Sequence, residues 1–259
     1  MCARLSGSVL VTGSNRGIGL ELVRQLCESP CPPTHIFAAC RDPDGPNAKV
    51  LRDLALKHPQ LVTTLCLDTT NQGTIAEAAR LVGDQLKDGS LNLLINNAAI
   101  NIPGSLADTG EKEMMEVFLT NTVGPMLVTK EFLPHLRTAA SRPGAQSEMS
   151  CRRAAVVNVS TLFSSIQRCH ETFLRAPMYP YRVSKAALNM LTRCLSEDLR
   201  ADGILVMALH PGWVQTDMGG PQAPLSTEDS VKGMLNVISS LSDQHVGALL
   251  DWEGKSIPW

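Results

Sequence analysis

With 259 residues, 44% of them hydrophobic and 19% charged, the chain can bury a large core without disulfide or metal staples. A net charge of −2, scattered Lys and Arg and an aromatic content of 4% exclude the basic groove that would bind nucleic acid or an anionic membrane surface. No apolar run reaches membrane-spanning length, and residues 1–7 hold one Arg and no apolar stretch of a signal peptide, so the expected setting is the cytoplasm.

The first apolar run, residues 8–12, predicts a strand. Residues 17–28 follow with Ile18, Leu22, Val23 and Leu26 at helical spacing. Further strands are expected over 35–39, 61–67 and 91–95, with a helix starting near Thr70. A long helical pattern covers 111–137, with a kink near Gly124-Pro125. Residues 154–159 predict a fifth strand, 184–200 a helix, 205–209 a sixth strand, 226–241 a helix capped at Ser226 or Thr227, and 248–251 a short last strand. Residues 141–153, with Pro143 and Gly144, and residues 167–180 read as loops. Strand–helix alternation with apolar strands predicts an α/β fold, a Rossmann-type doubly wound parallel sheet of about seven strands with helices on both faces. The Asn158-Val159-Ser160 sequon falls on an expected buried strand, where no glycan fits. The eight Cys are spread along the chain. Only Cys27 and Cys31 are close, and no matching pair lies downstream, so they read as reduced thiols and no metal site is expected.

Between the first strand and the first helix stands Thr12-Gly13-Ser14-Asn15-Arg16-Gly17-Ile18-Gly19. Glycines let a backbone turn sharply and approach a pyrophosphate, and the helix amino end offers free N–H groups and a positive dipole. This predicts dinucleotide binding, with Gly13 through Gly19 as contacts. Residues 1–259 are then expected to be one domain, its cofactor half over about 1–150 and its catalytic and substrate half over about 151–259.

The spacing T-G-x-x-x-G-x-G resembles that of the short-chain dehydrogenase/reductase family, and the resemblance continues along almost the whole chain. Asp68 resembles the family's adenine contact. Asn96-Asn97-Ala98-Ala99 resembles its N-N-A-G segment, with Ala99 in place of Gly. Asn121 falls where the family keeps a catalytic Asn that anchors a water relay. Tyr181-Arg182-Val183-Ser184-Lys185 matches Y-x-x-x-K, and Pro211-Gly212 matches a cofactor-loop P-G, with Val214 and Thr216 beyond it. Thr216 corresponds to a family contact to the nicotinamide amide. Residues 211–224 are expected to form a mobile lid over the substrate. The runs around Asn15, Cys40, Tyr181 and His210 look most like the C-factor/sniffer-like carbonyl reductases. The resemblance implies a small-molecule carbonyl or alcohol substrate and a homo-oligomer, dimer or tetramer.

An acidic residue ending the second strand would bind the ribose 2′-hydroxyl of NAD. Here Cys40 and Arg41 stand in that place, and Arg16 is a second cation. Two guanidinium groups suit a 2′-phosphate, so the expected cofactor is NADP(H). Hydride transfer to a carbonyl leaves an alkoxide that needs a proton, and Tyr181 is the expected acid/base. An ammonium one turn away, at Lys185, is expected to lower its phenol pKa. In the family this Lys also holds the nicotinamide ribose. Tyr179 is a rival phenol, but position 183 is Val and gives it no Lys. A second hydroxyl donor is expected from Thr161 or Ser160. Strand alternation forbids both from facing the site, and the N-V-S-T alignment favours Thr161. The expected function is an NADP(H)-dependent carbonyl reductase acting on small aldehydes, ketones or quinones. The alternative is a non-catalytic dinucleotide-sensing or signalling module on the same fold. Tyr181 and Lys185 count against it.

Overall fold

Apolar runs too short for helices become strands, most of which bury both faces while the edge strand Val62–Cys66 is only partly covered. They are Ser8–Thr12 (β1), His35–Cys40 (β2), Val62–Cys66 (β3), Leu93–Asn96 (β4), Ala155–Val159 (β5), Leu205–His210 (β6) and Leu249–Asp251 (β7). All pairings are parallel, and the order is β3-β2-β1-β4-β5-β6-β7. The computed structural model describes residue 5 and residues 7–86, 89–142 and 148–259. The expected loop at Pro143 and Gly144 lies outside the described residues.

The connecting helices are Gly17–Glu28 (α1), Lys49–Lys57 (α2), Gln72–Gln85 (α3), Glu111–Phe118 (α4), Gly124–Ala140 (α5), Cys169–Thr172 (α6), Tyr179–Asp198 (α7) and Thr227–Ser239 (α8). Strand alternation divides the core in two. Val9, Val11, Ile36, Ala38 and Val157 face Leu22 and Leu26 of α1, Leu51 of α2 and Val231 of α8. Leu10, Phe37, Leu94 and Val156 face Ile75 and Val82 of α3 and Phe132 and Leu136 of α5. This is the Rossmann-type doubly wound sheet. Strand order reverses between β1 and β4, and the crevice beyond their carboxyl ends is where such sheets bind ligands.

Three elements depart from expectation. The α2 helix was not expected, although Leu51 and Leu54 are spaced as a helix requires and Lys49 pairs with Asp53 one turn on. The long helix is divided at a π-helical turn, Leu119–Val123, just before Pro125. The α7 helix starts at Tyr179, five residues before the expected position 184. Pro180 is tolerated there because a first-turn N–H has no helical partner. Met178 turns the chain into α7 with a left-handed φ of 37°.

Candidate active site

The phosphate loop is fixed from beneath. The Thr12 hydroxyl accepts from the backbone N of Asn97 and of Ala98, both at 3.0 Å. The Asn97 Nδ2 donates to the Thr12 and Gly13 carbonyls at 2.9 and 3.2 Å. Gly13 has φ +67°, and a Cβ there would lie 2.9 Å from the Ala98 Cα. At Gly19 a Cβ would run into the Gly13 carbonyl. Both positions therefore need glycine, and the loop curls tightly against the segment after β4. No side chain caps the start of α1, so its first N–H groups are left to the cleft. Ser14 is a correction. Its backbone N and its hydroxyl both donate to Ala39 O, at 3.1 and 3.0 Å, so its side chain points into the sheet and away from the cleft.

A cleft of about 1490 Å³ runs from this loop across the carboxyl ends of the strands. Gly13, Asn15, Arg16, Gly17, Ile18 and Gly19 line one end, with Arg41 and Asp68. Asn97, Ala98 and Ala99 line the middle, and Pro211, Gly212, Val214 and Thr216 line the far side. Arg41 is exposed and makes no ion pair among the described residues. The Asp68 Oδ1 accepts from the Thr70 N and hydroxyl at 2.9 and 2.8 Å, which turns the chain towards α3.

Tyr181 and Lys185 stand one turn apart on α7 and face the same cleft. Thr161 lines the cleft beside Tyr181, and its hydroxyl accepts from Phe163 N at 3.2 Å. The Lys185 Nζ donates to Val159 O at 2.7 Å and lies 5.9 Å from the Tyr181 ring centroid. Burial pushes the phenol up to about 12, against the smaller lowering effect of Thr161. Burial also lowers the Lys185 ammonium to about 7. Taking a phenolate out of water outweighs the effect of Thr161. Tyr179 packs edge-on against Phe173, ring centroids 5.6 Å apart, and is not among the cleft residues.

Ser160 and Thr161 stand just past the end of β5 and both line the cleft, so the alternation expected to keep one of them out does not apply; they differ in what their hydroxyls bond. The Ser160 hydroxyl donates to the Asn189 Oδ1 at 2.7 Å and lies 3.3 Å from the Ser164 hydroxyl. Asn121 is fully buried in the π turn and is not among the cleft residues. Its amide accepts from Ile100 N at 2.9 Å and donates to Ile100 O at 2.9 Å and to the Ser184 hydroxyl at 3.1 Å. It thereby ties the segment after β4 to α7, and the extra residue of a π turn brings it into reach.

A family model described as short chain dehydrogenase matches residues 8–224. The chain belongs to the short-chain dehydrogenase family. C-signal of Myxococcus xanthus is 41% identical over 172 residues, which cover 66% of this chain and 94% of that one. The NADPH-bound carbonyl reductase from chicken fatty liver is 46% identical with a TM-score of 0.92, over 97% of this chain and 98% of that one. Carbonyl reductase Sniffer of D. melanogaster is 38% identical with a TM-score of 0.91, over 97% and 99%.

Two features of this short-chain dehydrogenase went unread in the sequence. Arg182, inside Y-x-x-x-K, is buried and stacks on the Phe163 ring at 4.6 Å. It donates to Ala176 O at 2.8 Å and to the Thr172 hydroxyl at 3.0 Å, so it pins the segment expected as an open loop over 167–180. That segment contains α6 and a 3₁₀ turn, Phe173–Arg175. The second is Asp217, which meets Arg16 across the cleft mouth. A cation inside a helical motif and an acid far along the chain gave no local signal of either contact.

Proposed function

We propose that the chain is an NADP(H)-dependent carbonyl reductase of small aldehydes, ketones or quinones. One observation carries the reading: Tyr181, Thr161 and Lys185 converge on a cleft that continues unbroken to a glycine-built phosphate loop. The residues present fit the cofactor. The cradle at Gly13 and Gly19 leaves room only for backbone, the α1 amino end lacks a side-chain cap, and Arg41 is free to meet a 2′-phosphate. When bound, the reduced nicotinamide supplies the hydride.

The chain's own residues orient the substrate and supply the proton. Tyr181 and Thr161 donate hydrogen bonds to the substrate carbonyl oxygen and polarise it. As negative charge grows on that oxygen, Tyr181 gives up its proton and Thr161 continues to donate. A phenol pushed up to about 12 stays protonated at neutral pH. In this reading Lys185 holds the nicotinamide ribose and returns a proton towards Tyr181, and Asn121 positions α7 through Ser184. The bacterial relative named C-signal supports a second reading, a non-catalytic signalling module. NADPH oxidation measured with a panel of aldehydes, ketones and quinones separates the two. The enzyme reading expects turnover with several of them. Tight NADPH binding with no turnover on any would favour the module.

A further inference from the structure

Arg16 and Asp217 form a 2.6 Å ion pair across the mouth of the cleft, between residues 201 positions apart. Both line the cleft. The carboxylate is carried by a segment built as a unit. The Trp213 Nε1 donates to Gly219 O at 2.8 Å, Gly219 N to the Thr216 hydroxyl at 3.0 Å, and Gly220 N to Thr216 O at 2.8 Å. Gln215 N donates to Leu225 O at 2.8 Å and ties the segment to the chain leading into α8. Thr216 reaches the phosphate loop as well, since a Cβ on Gly17 would lie 3.4 Å from its Cγ2. The segment after β6 therefore meets the phosphate loop by charge at Asp217, with Thr216 standing beside Gly17. Arg41 makes no ion pair among the described residues. Of the two cations expected to serve a 2′-phosphate, one is free and the other is already engaged.

We propose that Asp217 is a specificity-determining residue for the cofactor, competing with the 2′-phosphate for Arg16. The proposal rests on the reading of the cleft as an NADP(H) site. A phosphate monoester carries about −1.5 to −2 charge at neutral pH and takes a guanidinium fork bidentately, so it displaces a single carboxylate. The 2′-hydroxyl of NADH cannot, and with NADH the ion pair stays closed. NADPH binding therefore breaks an ion pair that NADH binding leaves intact, and Asp217 trims the preference that the two arginines create. The same exchange releases the carboxylate's hold on the phosphate loop while the phosphate is in place. The pair is exposed, with side chains 65% and 76% accessible, so the effect is modest.

The test is a fluorescence titration of the full chain with NADPH and with NADH at low ionic strength. It uses the wild type, Asp217→Asn, Arg16→Gln and the double variant. Asp217→Asn is expected to tighten NADPH roughly two- to fivefold, the size of an exposed ion pair, and to leave NADH unchanged. Arg16→Gln is expected to weaken NADPH, and adding Asp217→Asn to it should change nothing more. The proposal is overturned if Asp217→Asn weakens NADPH or shifts both cofactors alike. It is also overturned if Asp217→Asn still tightens NADPH without Arg16, since the carboxylate would then act by general repulsion. If Arg16→Gln leaves NADPH affinity unchanged, the fault lies in the assignment of Arg16 to the phosphate, and the proposal falls with it.

Discussion

At the scale of single residues, Ser160 and Thr161 stand side by side just past β5 and differ in what their hydroxyls bond. The N-V-S-T run pointed to Thr161, which lines the cleft with Tyr181, while the Ser160 hydroxyl donates to the Asn189 Oδ1. Thr161→Val keeps shape and removes the hydroxyl, so kcat should fall on the order of 10²–10³. Thr161→Ser should stay active. Ser160→Ala should leave kcat within a few-fold but lower stability by about 1 kcal/mol, the cost of one buried hydrogen bond. The reverse pattern in steady-state kinetics would shift the donor assignment by one residue. Ser14 was not legible in the same way. Its direction is set by the carbonyl of Ala39, on a neighbouring strand, and a loop motif says nothing about that partner.

Lys185 carries a pH signature of its own. Burial brings its ammonium from the model-compound value of 10.5 to about 7. Between roughly pH 7 and pH 10 the unfolded chain holds a proton there that the folded chain releases, so stability rises with pH across that window. Melting temperatures of the cofactor-free protein at pH 6.5 and pH 9 should show a gain that Lys185→Met lacks. An equal gain in both proteins would mean that this ammonium is solvated in the folded state.

At the scale of elements, the helices that position the site were legible where apolar spacing was strong and hidden where a turn residue interrupted it. Tyr179-Pro180-Tyr181 looks like a loop, yet it opens α7, because the left-handed Met178 delivers the chain to a first turn that accepts Pro180. Tyr181 is therefore held in the rigid first turn of a 20-residue helix. The π turn at Leu119–Val123 was legible only as a break near Gly124-Pro125, since its extra residue leaves no compositional mark. Arg182 then fixes the segment opposite. Arg182→Met should raise KM for the carbonyl substrate several-fold and speed proteolysis between residues 163 and 178, with NADPH affinity little changed. Loss of NADPH affinity instead would place this arginine's influence on the cofactor end. The segment over 211–224, expected as a mobile lid, is internally bonded and leans on the phosphate loop. NADPH should change its protease sensitivity, and unchanged cleavage would leave it a plain surface loop.

At the scale of the whole molecule, strand–helix alternation was enough to read a seven-stranded doubly wound sheet, because the apolar runs are short and, apart from the edge strand β3, mostly buried on both faces. The contacts that close the cleft were not readable, since Arg16 and Asp217 meet only after the entire sheet has assembled. The same assembly buries Tyr181 and Lys185 together. A phenol pushed up to about 12 is almost entirely protonated at neutral pH, so the phenolate that accepts a proton is scarce there. Carbonyl reduction should therefore hold its rate from pH 7 to pH 9, while alcohol oxidation climbs through the same range. An oxidation rate independent of pH would contradict a high phenol pKa.

The most direct test of the central claim is Tyr181→Phe, assayed for NADPH-dependent reduction of a carbonyl that the wild type turns over and titrated in parallel for NADPH binding. The account predicts loss of nearly all turnover, with the NADPH dissociation constant within a few-fold of wild type, because the phenol acts on the transferred proton and contributes little to holding the cofactor. A Tyr181→Phe variant that keeps a wild-type kcat would contradict it.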